Sequence, residues 1–258
     1  MIKSTQRILH ETREIYNAIA PDFSQTRSKW WYGFGDFNRY VKPGDRVLDV
    51  GCGNGRMAEV SRESKIEYLG VDQSEELIKI ARERFGAEPW ASFETADVLN
   101  LEKYKNQFDL VLCIAVLHHL PSAALRAQAV ENLAGALRPG GRLIIYNWNL
   151  FCFKWLKLYW PHLLNYRQKW GEYRILNWRD AFIPWKLKNN WQPRYVHSFG
   201  RGELKKLLQA AGLEVEGIYP HTNFSEGKFG VGVYYQNKDG QKSSWIQGVN
   251  SVVMARKK

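Results

Sequence analysis

Three groups of residues in this 258-residue chain have types and spacings that could do chemistry. The first is a glycine cluster, Gly51, Gly53 and Gly55, inside VLDVGCGNGR (47–56), with an acid, Asp49, two residues ahead of it. Alternate glycines let the backbone take positive φ and come close to a ligand. Two further acids follow, Asp72 at the end of YLGVD (68–72) and Asp97 in TADV (95–98). Carboxylates there can accept from ribose hydroxyls and from an adenine amino group. The second group is His118 and His119, after the apolar run FDLVLCI (108–114). We expect one of them to be a satisfied core histidine and the other to face a substrate. The third is Arg194, Tyr195 and His197. On an extended segment Arg194 and Val196 share one face, and Tyr195 and His197 the other. Tyr195 with His197 can stack on and orient a base, whereas Arg194 suits phosphate or carboxylate. A tight clamp on a reacting oxygen lowers its nucleophilicity, so Arg194 is assigned to orientation rather than activation.

The elements that must hold these groups alternate. An apolar run, the glycine turn and a helix-compatible stretch (56–64) are followed by a second strand (68–72). Ser74 then caps a helix with Glu75 and Glu76 in its first turn. A third segment (92–98), a fourth strand (108–114), and a fifth (143–146) after the turn Arg138-Pro139-Gly140-Gly141 complete the series. This alternation predicts a doubly wound α/β sheet with right-handed crossovers and a ligand crevice at the strand ends. Two frames of the glycine loop compete. Gly53, Gly55 and Ala58, with Asp72 beyond, fit a loosened dinucleotide pattern. Asp49 with Gly51, Gly53 and Gly55 instead suits S-adenosylmethionine, which has an ammonium to attract and no phosphate to cradle.

Composition narrows the classes. No run of about 18 apolar residues is present, so no transmembrane segment is expected, and MIKSTQRILHE lacks the apolar core of a secretory signal. Cys52, Cys113 and Cys152 are far apart and show no metal spacing, which suits buried thiols in a reducing cytoplasm. The net charge of +11 is uneven: residues 1–147 hold 19 Lys/Arg against 19 Asp/Glu, and residues 148–201 hold 10 against 2. The latter stretch also carries seven of the eleven tryptophans. Three readings of it stand open: an RNA-binding surface of basic and stacking residues, an interfacial helix in FCFKWLKLYW (151–160), or a local aromatic core with a solvated basic face. Acceptor chemistry narrows by absence. There is no Pro-Cys pair for attack on a pyrimidine, no Asn/Asp-Pro-Pro loop after the fourth strand, and no carboxylate cluster for a metal. An acceptor already ionised at pH 7, a carboxylate, needs no general base. Positioning would then do the catalytic work.

DVGCGNG, VDQS, TAD, FDLVLCIAVLHHL and LRPGG together resemble a class I S-adenosylmethionine-dependent methyltransferase. The resemblance implies a Rossmann-like, seven-stranded, mainly parallel sheet whose last strand is antiparallel, here 251–255, with a basic aromatic insertion after strand 5. It divides a single domain (1–258) into a helical lid and arm (1–45), a cofactor-binding core (46–147), a substrate-recognition insertion (148–199) and a C-terminal helix and strands (200–258). The cofactor set it implies is Tyr16, Arg27, Asp49, Gly51, Gly53, Asn54, Gly55, Asp72, Gln73, Asp97, Val98 and Ile114. Tyr16 reads equally as lid packing. Arg27 and Lys29, placed after a break at Ala20-Pro21, read equally as a solvated arm.

A narrower resemblance rests on IYNAIAPDFSQTRSKWW (15–31), DAFIPWKL (180–187), RYVHSF (194–199) and GELKKLL (202–208). These look like segments of the eukaryotic tRNA wobble-uridine carboxymethyl methyltransferases. That implies methyl esterification of 5-carboxymethyluridine in a tRNA anticodon. His118, His119, Arg194, Tyr195 and His197 would orient the substrate, and Lys29, Trp30, Trp185 and Arg201 would bind it. Eukaryotic members also use a small zinc-binding activator protein. Arg201 is shifted by one position from the family's arginine. Two other classes stay open: a methyltransferase of a lipid, quinone precursor or small acid at a membrane surface, and a dinucleotide enzyme or RNA-binding module on the same fold.

Overall fold

The structure, a computed structural model, describes residues 2–27, 40–148, 178–187, 190–221 and 250–257. Helix α1 (Ile2–Thr26) leads into an alternating series: β1 (Arg46–Val50), α2 (Arg56–Ser61), β2 (Glu67–Asp72), α3 (Glu75–Phe85), β3 (Ala91–Thr95), β4 (Phe108–Ile114), α4 (Ala123–Ala136) and β5 (Leu137–Trp148). Then come β6 (Asp180–Leu187), β7 (Asn190–His197), α5 (Arg201–Ala210), β8 (Leu213–His221) and β9 (Asn250–Lys257). Seven strands form one sheet in the order β3-β2-β1-β4-β5-β9-β8. The first five are parallel, and β9 runs antiparallel to both β5 and β8. The chain winds outward from β1 to β3, then returns to β4 on the other side of β1. Residues at the ends of β1 and β4 therefore flank a switch point, where such sheets open a crevice.

The central strands are apolar on both faces because both are covered. Strand β4 sends Val111 and Cys113 into one core, with Leu48, Val50 and Leu133, and Leu110, Leu112 and Ile114 into the other, with Val47, Tyr68 and Tyr146. Ser74 caps α3 as its sequence predicts, its Oγ accepting from the Leu77 N–H at 3.3 Å.

Three local expectations need correction. Helix α1 does not break at Pro21 but continues to Thr26. Ile8, Thr12, Ile15 and Ile19 bury one face of it, and that packing outweighs the loss of one backbone donor. Residues 138–141 are not a free turn before β5. They belong to it, with Gly140 at φ 80° and a register shift opposite Phe108 and Leu110. Strand β3 ends at Thr95, because Asp97 turns the chain by accepting from the Leu99 N–H through Oδ1 at 2.9 Å.

Of the 148–199 stretch, 149–177 lies outside the described residues, as do Cys152 and the 225–248 extension. What is described, β6 and β7, forms a separate antiparallel pair in which Ile183 faces Arg194 and Asp180 faces His197. Strand β7 packs against α1 and the short 3-10 turn Leu117–His119. Among the described residues no helix is long and apolar enough to cross a membrane.

Candidate active site

Gly51, Gly53 and Gly55 all take positive φ, at 77°, 57° and 74°. A Cβ on Gly51 would lie 2.1 Å from Val116 Cγ2, so only glycine fits that turn. Gly55 is the left-handed residue that admits the chain to α2. It packs towards Phe93, Ala81 and Phe85 and does not line the crevice, so its predicted cofactor contact is corrected to a turn-forming role.

The crevice is a cavity of about 430 Å³, within the range of small-molecule sites. Its floor includes Asp49, Gly51, Gly53, Asn54, Asp72, Gln73, Asp97, Val98 and Ile114, all predicted from sequence. Leu9, Thr12, Tyr16 and Phe23 roof it from one face of α1. Tyr16 and Arg27, left open between packing and contact, both line it.

At one end the floor is acidic. Asp49 is buried, and its Oδ2 accepts from the Tyr68 hydroxyl at 2.5 Å. Among the described residues its Oδ1 has no hydrogen-bond partner. Burial raises this carboxyl to about 7; the Tyr68 bond and Arg56 pull it down, and Asp72 pushes it up. Asp72 accepts from the Gly53 N–H through Oδ2 and from the Ser74 N–H through Oδ1, both at 2.9 Å. Desolvation raises its pKa against those bonds. Its carboxylate thus fixes the glycine loop and keeps lone pairs for a diol.

The other end is cationic and aromatic. Arg194 is buried, with its guanidinium 4.7 Å from the Trp185 ring, 5.2 Å from Trp148 and 6.0 Å from Tyr16. Its Nη1 donates to the Tyr16 hydroxyl oxygen at 3.3 Å, and its Nε has no partner among the described residues. No carboxylate among the described residues forms an ion pair with it. A buried guanidinium is costly to leave without an anion. Arg27 stacks beside it, 4.3 Å from Trp185 and 4.8 Å from Phe23.

His119 completes the wall. Its Nδ1 lies 2.7 Å from the Tyr195 carbonyl oxygen, which can only accept, so the proton sits on Nδ1. Nε2 then accepts from the Tyr16 hydroxyl at 2.9 Å. Burial drives His119 down to about 3, against the pull of the Tyr195 carbonyl, and Arg194 lowers it further. The imidazole is therefore neutral at pH 7. Tyr16 joins His119 to Arg194 through one oxygen.

The remaining predicted residues divide. His118 is the core histidine of the pair. It stacks on Trp148 at 4.8 Å, does not line the cavity, and burial pushes its pKa far down. Tyr195 and His197 are corrected more strongly. The alternation along β7 is as expected, but Arg194 takes the cavity face, so Tyr195 and His197 point away into protein. Tyr195 meets the Phe182 ring edge-on at 5.9 Å. His197 lies between Asp180 and Glu203. Neither can stack on a base in the cavity. Trp185, expected to bind substrate, lines the cavity. Lys29 and Trp30 lie outside the described residues, and so does the side chain of Arg201, which opens α5.

Sequence reasoning missed Trp148, Phe23 and Tyr68. Phe23 was within reach, since Leu9, Thr12, Tyr16 and Phe23 recur at spacings of 3, 4 and 7 on one helix face. Tyr68 as the partner of Asp49 needs the β1–β2 pairing and leaves no local signal.

Residues 47–141 match the family described as methyltransferase domain. The tRNA (carboxymethyluridine(34)-5-O)-methyltransferase of Saccharomyces cerevisiae is 39% identical over 137 residues, 53% of this chain and 47% of that protein. The protein of the same description from Schizosaccharomyces pombe is 28% identical over 219 residues, 77% of this chain and 86% of that protein. The chain thus spans about half the length of the budding-yeast relative. Among solved structures, a chain from the complex of the Haloferax volcanii Trm112 methyltransferase activator with a methyltransferase superposes with a TM-score of 0.62. It is 16% identical, and the match covers 95% of this chain and 96% of that one.

Proposed function

We propose that this chain, which carries a methyltransferase domain of the class I, S-adenosylmethionine-dependent fold, methylates the carboxylate of 5-carboxymethyluridine at the wobble position of tRNA, giving the methyl ester. The observation that carries the proposal is Arg194, a buried guanidinium with no ion-paired carboxylate among the described residues, in the same cavity as Asp49.

The donor end fits S-adenosylmethionine. Asp49 lines this end with an Oδ1 that has no hydrogen-bond partner among the described residues, an acceptor suited to an ammonium, and Asp72 keeps acceptor capacity for ribose hydroxyls. Asp97 and Gln73 line the same end. When bound, S-adenosylmethionine supplies a methyl group made electrophilic by its sulfonium. The protein's own residues provide placement. Arg194 binds the acceptor carboxylate, and Trp185 and Trp148 exclude water around it. A carboxylate with a pKa of about 4 is already the nucleophile at pH 7, so no side chain has to remove a proton. His119, with its pKa lowered to about 3 and Nε2 engaged by Tyr16, is too weak a base for general-base work, which suits a reaction that needs none. It holds the Tyr16 hydroxyl, which in turn steadies Arg194. Arg27, over Trp185 and Phe23, offers a second cation and stacking surface for nucleotide or cofactor. In this proposal tRNA is the partner, met partly by the basic stretch 148–201. A small activator protein is a second partner, as in the assembly of the Haloferax neighbour.

Methyl-labelled S-adenosylmethionine, incubated with tRNA carrying or lacking wobble carboxymethyl groups, tests the proposal. Alkali-labile label confined to the modified tRNA supports it. Label in an extracted lipid fraction, or none in tRNA at any salt concentration with or without an activator, overturns it.

A further inference from the structure

Behind the cavity wall lies a buried charge cluster that touches neither end of the cavity. His197 Nδ1 is 2.6 Å from Asp180 Oδ1, and Nε2 is 3.0 and 3.1 Å from the two oxygens of Glu203. The side chains of His197 and Asp180 are each 1% exposed. Arg126, also buried, reaches Glu203 through Nη2 at 3.3 Å and donates through Nη1 to the Leu120 carbonyl. These groups come from four elements: β6, β7, α4 and α5. Both ring nitrogens face carboxylate oxygens, which accept when ionised, so both must carry protons.

Three residues before His197 on the same strand is Arg194, and two before is Tyr195, whose carbonyl oxygen fixes the tautomer of His119. The strand beside β7 is β6, which holds Asp180 against His197 and Trp185 against Gln192. We propose that His197 is a positioning residue: bridging Asp180 and Glu203, it locks β7 between β6 and α5 at the register that presents Arg194 and the Tyr195 carbonyl to the acceptor end of the cavity. Substrate does not touch it. The inference rests on the carboxylate-acceptor assignment for its effect on turnover, and on geometry alone for its effect on His119.

A pH dependence follows. The charged and titratable groups facing His197 are Asp180, Glu203, Arg126 and, more distantly, His118. The two carboxylate bonds raise the His197 pKa against desolvation and Arg126. A histidine raised in the folded state gives its full contribution below the unfolded value of about 6.5 and loses it as pH rises through the folded value. The clamp is thus fully set on the acid side of about pH 6.5 and released as pH rises through the raised folded value.

Ring 15N spectra of histidine-labelled protein, with His119 and His197 assigned by single substitution, test the clamp without turnover. In wild type at pH 7, His119 should show the Nδ1–H tautomer and His197 both nitrogens protonated. His197→Gln should leave His119 as a mixture of tautomers. In the same variant kcat/KM for the modified tRNA should fall at least tenfold while S-adenosylmethionine Kd changes less than twofold. Asp180→Asn, which keeps a hydrogen-bonding partner, should move the alkaline loss of activity to lower pH. Should His197→Gln fail to fold, the Asp180→Asn profile and the wild-type spectra still decide. A neutral His197 at pH 7, an unchanged His119 tautomer in His197→Gln, or equal loss of cofactor and tRNA binding overturns the clamp. Absence of turnover in wild type with the predicted spectra overturns the acceptor assignment instead.

Discussion

Replacing Arg194 by Met separates function from stability. Among the described residues the buried guanidinium makes one hydrogen bond, a long one of 3.3 Å to Tyr16, and has three rings around it. Losing them costs the apoprotein about 1 kcal/mol for the hydrogen bond and about 1 kcal/mol for cation–π contact. Relief of a buried, unpaired charge works in the opposite direction by an amount at least as large, and Met fills similar volume among the rings. The apoprotein should therefore keep its Tm within a few degrees or gain stability. Substrate binding should suffer badly. The acceptor carboxylate would lose its buried partner, a loss on the order of 3 kcal/mol, hence roughly 10²-fold in kcat/KM for modified tRNA. Differential scanning calorimetry, S-adenosylmethionine titration and methyl transfer, run on one preparation, check all three quantities. Arg194→Met that transfers methyl groups within threefold of wild type refutes the assignment of Arg194 to the acceptor. Collapse of Tm refutes the claim that its charge serves a ligand rather than the fold.

Other expectations concern the donor end and the wall between the two halves. Asp49→Asn should weaken S-adenosylmethionine binding by about 10- to 100-fold, since a charge-assisted bond is lost, as isothermal titration would record. Asp49 has a raised folded pKa, so the folded state holds its proton where the unfolded state has lost it. Its effect on stability is therefore adverse as pH climbs from about 4 to about 7, and Asp49→Asn should melt higher than wild type at pH 8 in the absence of ligand. For the same reason wild-type cofactor affinity should decline as pH drops below about 7. Gly51→Ala places a methyl group 2.1 Å from Val116 Cγ2 at φ 77°, and should cost more than about 2 kcal/mol by denaturant titration. Adding Val116→Ala should restore the clash portion only. Tyr16→Phe keeps the ring but removes the hydroxyl between His119 and Arg194, and should lower kcat/KM roughly fivefold, about 1 kcal/mol, with cofactor affinity intact.

The sheet was legible because its signals are local. The run 108–114 is apolar throughout and became β4 with those bounds, and the alternate glycines of 51–55 all took the positive φ their spacing suggested. Asp49, Asp72 and Asp97 line the cavity from places at or just beyond strand ends, which local patterning shows. The acceptor end was half legible. Alternation along 194–197 correctly put Arg194 on one face and Tyr195 and His197 on the other. Which face meets the cavity depends on Asp180, 17 residues earlier, and Glu203, on the next helix, drawing His197 inward. Those partners meet through tertiary packing, to which a period-two pattern is blind. Pro21 misled in the same way: its local cost is real, but the buried stripe of α1 overrides it. Of the histidine pair the sequence could say that one would be core; only the Trp148 stack makes it His118.

The most direct measurement compares two anticodon stem-loops that differ at a single group, 5-carboxymethyluridine and its amide isostere, for binding to the protein loaded with S-adenosylhomocysteine. The two are nearly identical in shape, so only the charge that Arg194 would meet distinguishes them. The carboxylate form should bind at least tenfold more tightly in wild type, and Arg194→Met should erase the difference. Equal affinity for the two stem-loops in wild type, or a preference that survives Arg194→Met, would contradict the account.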